Sequence, residues 1–158
     1  MNALVCLFAV VGAIASWQTY TNTNFINDIA GNDSVVWLAT SGGVVLLEPG
    51  PPPVARQTFV NTDSLPANQC LCVALDDSSN LWVGMRGGGL AVIEKGADHA
   101  RPYLPNEWSP RNVRALCWDG SRLLAGTDQG LYVINTRSTL LDFSDDAITW
   151  YSVARIPE

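Results

Sequence analysis

Basic side chains are scarce in this sequence of 158 residues. The 9 lysines and arginines stand against 15 aspartates and glutamates, so the formal net charge is −6. Lys95 is the single lysine and His99 the single histidine. A chain of this composition has no basic surface that could neutralise the phosphates of a nucleic acid or of anionic lipids. We therefore expect no nucleic-acid partner.

Long apolar runs are missing after residue 15, although a membrane helix needs about 20 consecutive apolar residues. We therefore expect no membrane insertion of the mature chain. The apolar segment 4–15 is too short to span a bilayer, and it ends in Ala13-Ile14-Ala15, a pattern typical of signal-peptide cleavage sites. We predict that residues 1–15 are a signal peptide and that the protein is periplasmic or extracellular. Because the segment has no lysine or arginine before it, a misassigned start codon and a buried first strand are the alternatives.

Cysteines are few, and the first of the four, Cys6, lies in the predicted signal peptide. Removal of that peptide leaves Cys70, Cys72 and Cys117, so at most one disulfide can form. Cys70 and Cys72 are two residues apart and are expected on the same face of a strand, a strained geometry for a mutual bond. Two hypotheses remain open: a Cys72–Cys117 disulfide, or three thiols that act as small buried hydrophobic side chains.

One sequence pattern recurs along the chain: an aromatic start, an apolar strand, a polar turn, a second strand and a third strand that begins at glycine. Trp37 and Trp82 are 45 residues apart, and Gly43 and Gly89 are 46 apart, spacings that match one four-stranded propeller blade. We predict an all-β fold, a partial β-propeller of about three four-stranded antiparallel blades plus the start of a fourth. The predicted blades span approximately 17–55, 56–100 and 101–147, and the next begins at 148–158.

Several residues recur at fixed places in the repeat, which favours a structural role for them. The two tryptophans are expected to pack between blades rather than to contact a ligand. These structural repeat positions are Trp37, Trp82, Gly84, Gly89, Gly126 and Gly130.

The second copy of the repeat resembles a known family. Its segments are Leu65-Pro66-Ala67-Asn68, Leu75-Asp76, Leu81-Trp82-Val83-Gly84 and Gly88-Gly89-Leu90. They are similar to the two-component regulator propeller repeat, whose pattern is an aromatic start, GLP-x-N, an apolar strand ending in Asp, LWVGT and GGL. The copy departs from this pattern at Ser64 and Met85, and the third copy has Leu124 in place of the tryptophan.

This resemblance implies a place among the periplasmic sensor propellers of bacterial hybrid two-component systems and related exported proteins, where the propeller is similar to carbohydrate-sensing modules. Three blades and a fragment are fewer than the four or more that close a ring. We therefore expect a truncated sensor fragment, or a piece that pairs with further blades or another protein.

Antiparallel connectivity predicts that the loop into the first strand and the loop between the second and third strands lie at one end of each blade. An aromatic ring beside arginine and asparagine suits sugar stacking with polar specificity, so Trp108, outside the repeat positions, is the main ligand-binding candidate. The alternative is that Trp108 packs on its own blade. The residues expected around this mouth are Asn24, Ser41, Asn68, Arg86, Trp108, Arg111, Asn112, Asp128 and Gln129.

Two loops could be taken for ion-binding motifs. Residues 86–89, Arg-Gly-Gly-Gly, join two strands without a following helix, so a tight turn is predicted rather than a phosphate loop. Residues 76–80 lack the glycine and glutamate of a calcium loop and are interpreted as a hairpin turn.

No catalytic constellation is recognisable, because His99 lies in a polar stretch without a nucleophile or second ligand nearby in sequence. We predict no metal, no cofactor and no enzyme activity, and a carbohydrate or other small ligand as the partner. The function predicted is an exported ligand-binding or sensing propeller. The alternatives are a protein–protein scaffold of the cell envelope or secretion machinery, and a metal-dependent lactonase or lyase.

Overall fold

The computed structural model describes residues 22–104, 108–136 and 143–152. Their strands form three four-stranded antiparallel sheets that follow one another along the chain. This arrangement confirms the predicted all-β fold of a partial propeller. The predicted signal peptide, residues 1–15, lies outside the described residues.

In each sheet the strands pair in chain order, and short turns join the first strand to the second and the second to the third. The first sheet contains β1 (Ile26–Gly31), β2 (Val36–Thr40), β3 (Gly43–Glu48) and β4 (Val54–Phe59). The second contains β5 (Cys70–Leu75), β6 (Leu81–Met85), β7 (Gly89–Ile93) and β8 (Arg101–Pro102). The third contains β9 (Val113–Trp118), β10 (Leu123–Thr127), β11 (Gly130–Asn135) and β12 (Ala147–Tyr151). A 3-10 turn, Asn61–Asp63, lies between the first two sheets.

The first strands of the three sheets lie side by side, β1 against β5 and β5 against β9. Two hydrogen bonds join β1 to β5: the Asn27 side-chain amide donates to the Cys70 carbonyl at 2.7 Å, and the Val73 N–H donates to the Asp28 carboxylate at 3.0 Å. The sheets therefore meet at their first strands, as the blades of a propeller do at the central axis.

The phase of the repeat differs from the predicted blade limits. The aromatic segments predicted to open the second and fourth copies form the outer strands of the preceding sheets: Phe59 pairs with Val44, and Tyr151 pairs with Leu131. Residues 147–151, predicted to belong to the start of a fourth blade at 148–158, complete the third sheet as β12. A period in the sequence defines the length of a repeat unit but not its starting point, whereas hydrogen bonding assigns each outer strand to one sheet.

The core consists of two layers between neighbouring sheets. We call the face of a sheet that is turned toward the next sheet its front face, and the opposite one its back face. The layer between the first two sheets includes Trp37, Val44 and Phe59 from one front face and Val73, Val83 and Ile93 from one back face. The layer between the second and third sheets includes Trp82, Leu90 and Tyr103 opposite Val113, Leu123, Tyr132 and Ile134.

The two repeat tryptophans lie in these layers. Trp37 is 8% exposed and contacts the Phe59 ring at 5.7 Å, and Trp82 is fully buried and meets the Tyr103 ring edge-on at 5.5 Å. Leu124 occupies the same position in the third sheet and is half-buried. Both rings pack in the core layers, and Trp82 has no exposed surface for a ligand.

Glycine is required at the repeat positions for two different reasons, a positive φ at some and close packing between sheets at another. Gly89 and Gly130 begin their strands at φ +71° and +124°, a region in which a side chain is strained. Gly84 lies on the front face of the second sheet, where an added Cβ would come within 2.7 Å of Val113 in the next sheet. At the equivalent Gly126 the nearest atom, the Ala115 Cβ, is 3.5 Å away.

A β-bulge corrects the prediction that Cys70 and Cys72 share a face. The register of β5 on β6 shifts between these residues, so Cys70 packs in the first core layer and Cys72 in the second. The extra residue in a bulge reverses the alternation of side chains that an unbroken strand would have.

The hypothetical Cys72–Cys117 disulfide is not formed, because the three cysteines of the described residues are free. Cys72 is buried opposite Val113, where its thiol donates to the Val113 carbonyl at 3.6 Å, whereas Cys117 is exposed near the other end of β9. Burial raises the pKa of the Cys70 and Cys72 thiols to about 12. Both therefore stay protonated near neutral pH.

The hairpin between the first two strands is closed in every sheet by an Asn or Asp side chain. Asn32, Asp76 and Asp119 each accept hydrogen bonds from backbone N–H groups two to four residues further along, between 2.7 and 3.2 Å. The backbone N–H of Ser121 is the main cause of the lowered pKa of Asp119, about 2. This geometry confirms that residues 76–80 form a hairpin turn.

We expect Asp76→Ala to destabilise the protein by about 1–3 kcal/mol, because the part-buried Asn80 side chain and two backbone N–H groups lose their acceptor. The adjacent, exposed Asp77→Ala is the matched control and should stay within about 0.5 kcal/mol of wild type. Urea unfolding measures both, and equal midpoints for the two variants would contradict the role of Asp76.

We also expect Cys70 and Cys72 of the folded protein to resist maleimide near neutral pH, since the reactive thiolate is scarce when the pKa is about 12. Peptide mass mapping should find both residues modified after unfolding in urea. Rapid labelling of either one under native conditions would show that its layer of the core is open to solvent.

Candidate ligand-binding site

The loops predicted to share one end of the sheets do so, and we call this end the mouth. In each sheet the N–H that follows the second strand donates to a carbonyl that precedes the first strand. The pairs are Ser41 to Phe25 at 3.0 Å, Arg86 to Gln69 at 2.9 Å and Asp128 to Asn112 at 3.3 Å. Antiparallel pairing produces this geometry, because the end of one strand lies beside the beginning of its neighbour.

Side chains connect the mouth loops of the second and third sheets. Asn112 accepts a hydrogen bond from the Gly87 N–H at 2.9 Å and donates one to the Asp128 carboxylate at 2.8 Å. The structure therefore brings Asn112 and Asp128 together. The bond from Gly87 to Asn112 joins neighbouring sheets, which is a structural use of a residue predicted to bind ligand.

Two other predicted polar residues, Asn68 and Gln129, also have side-chain partners in the protein. The Asn68 carboxamide bonds to Asn61, accepting from its N–H at 2.7 Å and donating to its side-chain oxygen at 3.3 Å. The Gln129 side-chain oxygen accepts from the Ser109 hydroxyl at 3.1 Å and the Tyr132 hydroxyl at 3.3 Å. Both side chains hold loops in place at the mouth.

Trp108 is wedged between the second and third sheets. Its ring lies edge-on to Tyr103 at 5.7 Å and to Tyr132 at 5.1 Å, and it is half-buried. T-shaped pairs of this kind stabilise beyond the area that they bury. Trp108 packs on the blades, as one interpretation predicted. Part of its ring also stays exposed, which the ligand-binding interpretation requires.

The exposed part of Trp108 borders a cleft of about 220 Å³. Leu104, which is 75% exposed, adds apolar surface to it, and the glycine turn 87–89 forms another side. Arg111, which is exposed, brings a positive charge, while its carbonyl accepts from the Gly89 N–H at 2.8 Å. Of the residues predicted from sequence to bind a ligand, Trp108 and Arg111 line this cleft.

The Arg-Gly-Gly-Gly segment is a hairpin turn, as predicted, because β6 ends at Met85 and β7 begins at Gly89. Gly87 has a φ of +77° and no atom within 4 Å of an added Cβ, so the turn lies open at the cleft.

Two grooves at the opposite end of the sheets were missed by sequence reasoning. One of about 450 Å³ lies between the first and second sheets beside Trp37 and Lys95, and one of about 340 Å³ lies between the second and third beside Trp118 and Asp76. Both are bordered by the Asn- and Asp-closed hairpins. The recurrence of Asn or Asp at the first hairpin of each sheet is the signal in the sequence that could have located these grooves.

Among the described residues there is no group of three or more His, Cys, Asp or Glu side chains placed to hold a metal ion. His99 is exposed and its ring nitrogen lies 2.7 Å from the Asp98 carboxylate. The same part of the chain contains no helix of the length and apolarity that membrane crossing demands.

The fold is similar to a solved structure, the extracellular domain of a protein assigned to a hybrid two-component system of B. thetaiotaomicron. The TM-score is 0.61 at 20% sequence identity, over 87% of this chain and 17% of the other, so the chain spans about a sixth of that neighbour. At this identity the similarity concerns the fold alone. No family model and no curated protein match the chain. Membership of the two-component regulator propeller repeat family therefore stays a prediction.

Proposed function

We propose that the chain is an exported, non-catalytic ligand-binding module of the sensor type, and that it binds a carbohydrate in the Trp108 cleft. The observation that carries the proposal is the cleft itself, where a partly exposed tryptophan and an arginine meet at the mouth of the sheets. Fold similarity to an extracellular domain of a two-component system supports the sensor class.

The chemistry of the cleft suits one face of a sugar ring. Trp108 and Leu104 offer apolar surface to the C–H groups of the sugar, and Arg111 offers charged donors to its oxygen atoms. A cleft of about 220 Å³ accommodates one or two sugar units rather than a large ligand.

Arg111 also suggests which sugars are preferred. The protein carries a net charge of −6, so an anionic ligand needs a local positive group. A guanidinium binds a carboxylate through two parallel hydrogen bonds, stronger than bonds to neutral hydroxyls. We propose that oligosaccharides that contain uronic acid bind more tightly than their neutral counterparts.

The protein–protein scaffold is a second candidate function, favoured by a different observation. The front face of the third sheet is apolar and is not covered by a fourth sheet among the described residues. Exposed apolar patches of this kind are typical of protein–protein interaction sites.

Arg111 is the position at which to test sugar binding, because Trp108→Ala would remove ring packing as well as ligand contact. We expect Arg111→Gln to weaken binding of a uronic-acid oligosaccharide about ten- to a hundredfold, the equivalent of a lost charged hydrogen bond. Arg86→Gln is the matched control, since Arg86 is exposed at the same mouth but does not line the cleft.

Calorimetric titration of the full chain with a panel of neutral and uronic-acid oligosaccharides measures these affinities. Equal loss in the two variants would argue against the cleft. Absence of binding to every oligosaccharide of the panel at millimolar concentration would overturn the carbohydrate proposal.

A further inference from the structure

We propose that the groove between the first two sheets, at the end opposite the mouth, binds a free α-amino acid with a large apolar side chain. We call it the Trp37 groove. Its volume of about 450 Å³ is within the usual range for small-molecule sites. All its lining residues lie in the continuous range 22–104, and none is shared with the Trp108 cleft, so the inference does not depend on carbohydrate binding.

Three apolar side chains line the Trp37 groove. Trp37 is fixed by its ring contact with Phe59 at 5.7 Å and keeps 8% of its surface exposed. Val35 and Leu46, which pack against the same core layer, are half-buried and add further apolar surface. A ligand with an aliphatic or aromatic side chain gains free energy here, because its apolar surface leaves water.

Two groups of opposite charge border the same groove. They are Lys95, the single lysine of the chain, and Asp33, and both are exposed. Among the residues that the structure describes, neither side chain forms an ion pair, whether with the other or with a third group. Both charges are therefore available to a ligand in the groove.

Hydrogen bonds fix the backbone of both charged residues. The Asn32 side chain accepts from two N–H groups further along the turn, at 2.9 and 3.2 Å, and so closes the hairpin that carries Asp33. The Lys95 N–H donates at 3.0 Å to the side-chain oxygen of Asn80, which is 9% exposed. Groups that are held in this way lose less conformational entropy when a ligand binds.

Ser79 brings a hydroxyl group to the groove from the first hairpin of the second sheet. Its N–H donates to the Asp76 carbonyl at 2.9 Å, which fixes the backbone. The side chain is half-buried, and its hydroxyl has no hydrogen-bond partner among the described residues. A hydroxyl in this position can donate to an oxygen atom of a ligand.

An α-amino acid carries the complementary groups on one carbon atom. Its carboxylate suits the Lys95 ammonium and the Ser79 hydroxyl, its ammonium suits the Asp33 carboxylate, and its side chain suits the apolar surface. Charged hydrogen bonds of this kind are about twice as strong as neutral ones. The flexible four-carbon stem of Lys95 lets its charge approach a ligand that lies beside Asp33. Sugars lack the cationic group, so the two sites differ in ligand class.

Calorimetric titration of the full chain with L-phenylalanine is the test. We expect a dissociation constant of about 1 mM or lower. N-acetylphenylalanine has no ammonium group and phenylalaninamide has no carboxylate, so each should bind at least about tenfold more weakly.

Variants assign each charge to its partner. Lys95→Gln should weaken phenylalanine binding about ten- to a hundredfold and leave phenylalaninamide unchanged, because that ligand offers no carboxylate. Asp33→Asn should weaken phenylalanine binding to a similar extent and leave N-acetylphenylalanine unchanged. Asp77→Asn is the matched control and should keep wild-type affinity, since Asp77 is exposed on the equivalent hairpin of the second sheet but does not line the groove.

Ser79→Gly gives a variant that should fold at least as well as wild type, because glycine adopts the φ of +65° found at this residue without strain. It should still bind phenylalanine more weakly, through loss of the hydroxyl. Arg111→Gln, which alters the Trp108 cleft, should not change phenylalanine affinity, so failure of one site is distinguishable from failure of the other.

Three results would overturn the proposal. The first is absence of phenylalanine binding at millimolar concentration. The second is N-acetylphenylalanine binding as tightly as phenylalanine, which would indicate the C-terminal residue of a peptide instead of a free amino acid. The third is an equal loss of affinity in Asp33→Asn and Asp77→Asn.

Discussion

Packing of one sheet face on the next is the constraint on which the rest of this structure depends. None of the three sheets that the structure describes has a wholly polar face, and each buries its apolar side chains where a neighbouring sheet covers them. The buried rings of Trp82 and Tyr103 show what such cover achieves between the second and third sheets. Close stacking explains Gly84 as well, since an added side chain there would meet Val113.

Stacking also creates the candidate site. Because the sheets pack front to back with their first strands adjacent, the mouth loops of the second and third sheets meet, and Asn112 joins them. Trp108 fills the space between the two sheets, with one part of its ring in the packing and another at the cleft. The same contact thus serves stability and presents the surface proposed to bind a sugar.

The recurrence of tryptophan and glycine made the fold predictable from sequence, since apolar strands at one spacing specify one kind of sheet. The prediction of side-chain directions was less accurate where strand hydrogen bonding departs from the regular alternation of the sequence. The bulge at Cys70 and Cys72 is invisible in a run of apolar residues, yet it sends the two thiols into different layers. The grooves beside the hairpin turns require the relative placement of neighbouring sheets, which no single repeat contains.

Sequence alone determined the all-β class, the four-stranded antiparallel repeat, the buried role of Trp37 and Trp82 and the closeness of the mouth loops. These follow from local alternation and antiparallel connectivity, which act over a few residues. Tertiary structure alone decided the sheet to which each outer strand belongs, the partners of Asn68 and Gln129, and the wedged position of Trp108. These depend on contacts between residues far apart in the chain, whose distances sequence spacing does not specify.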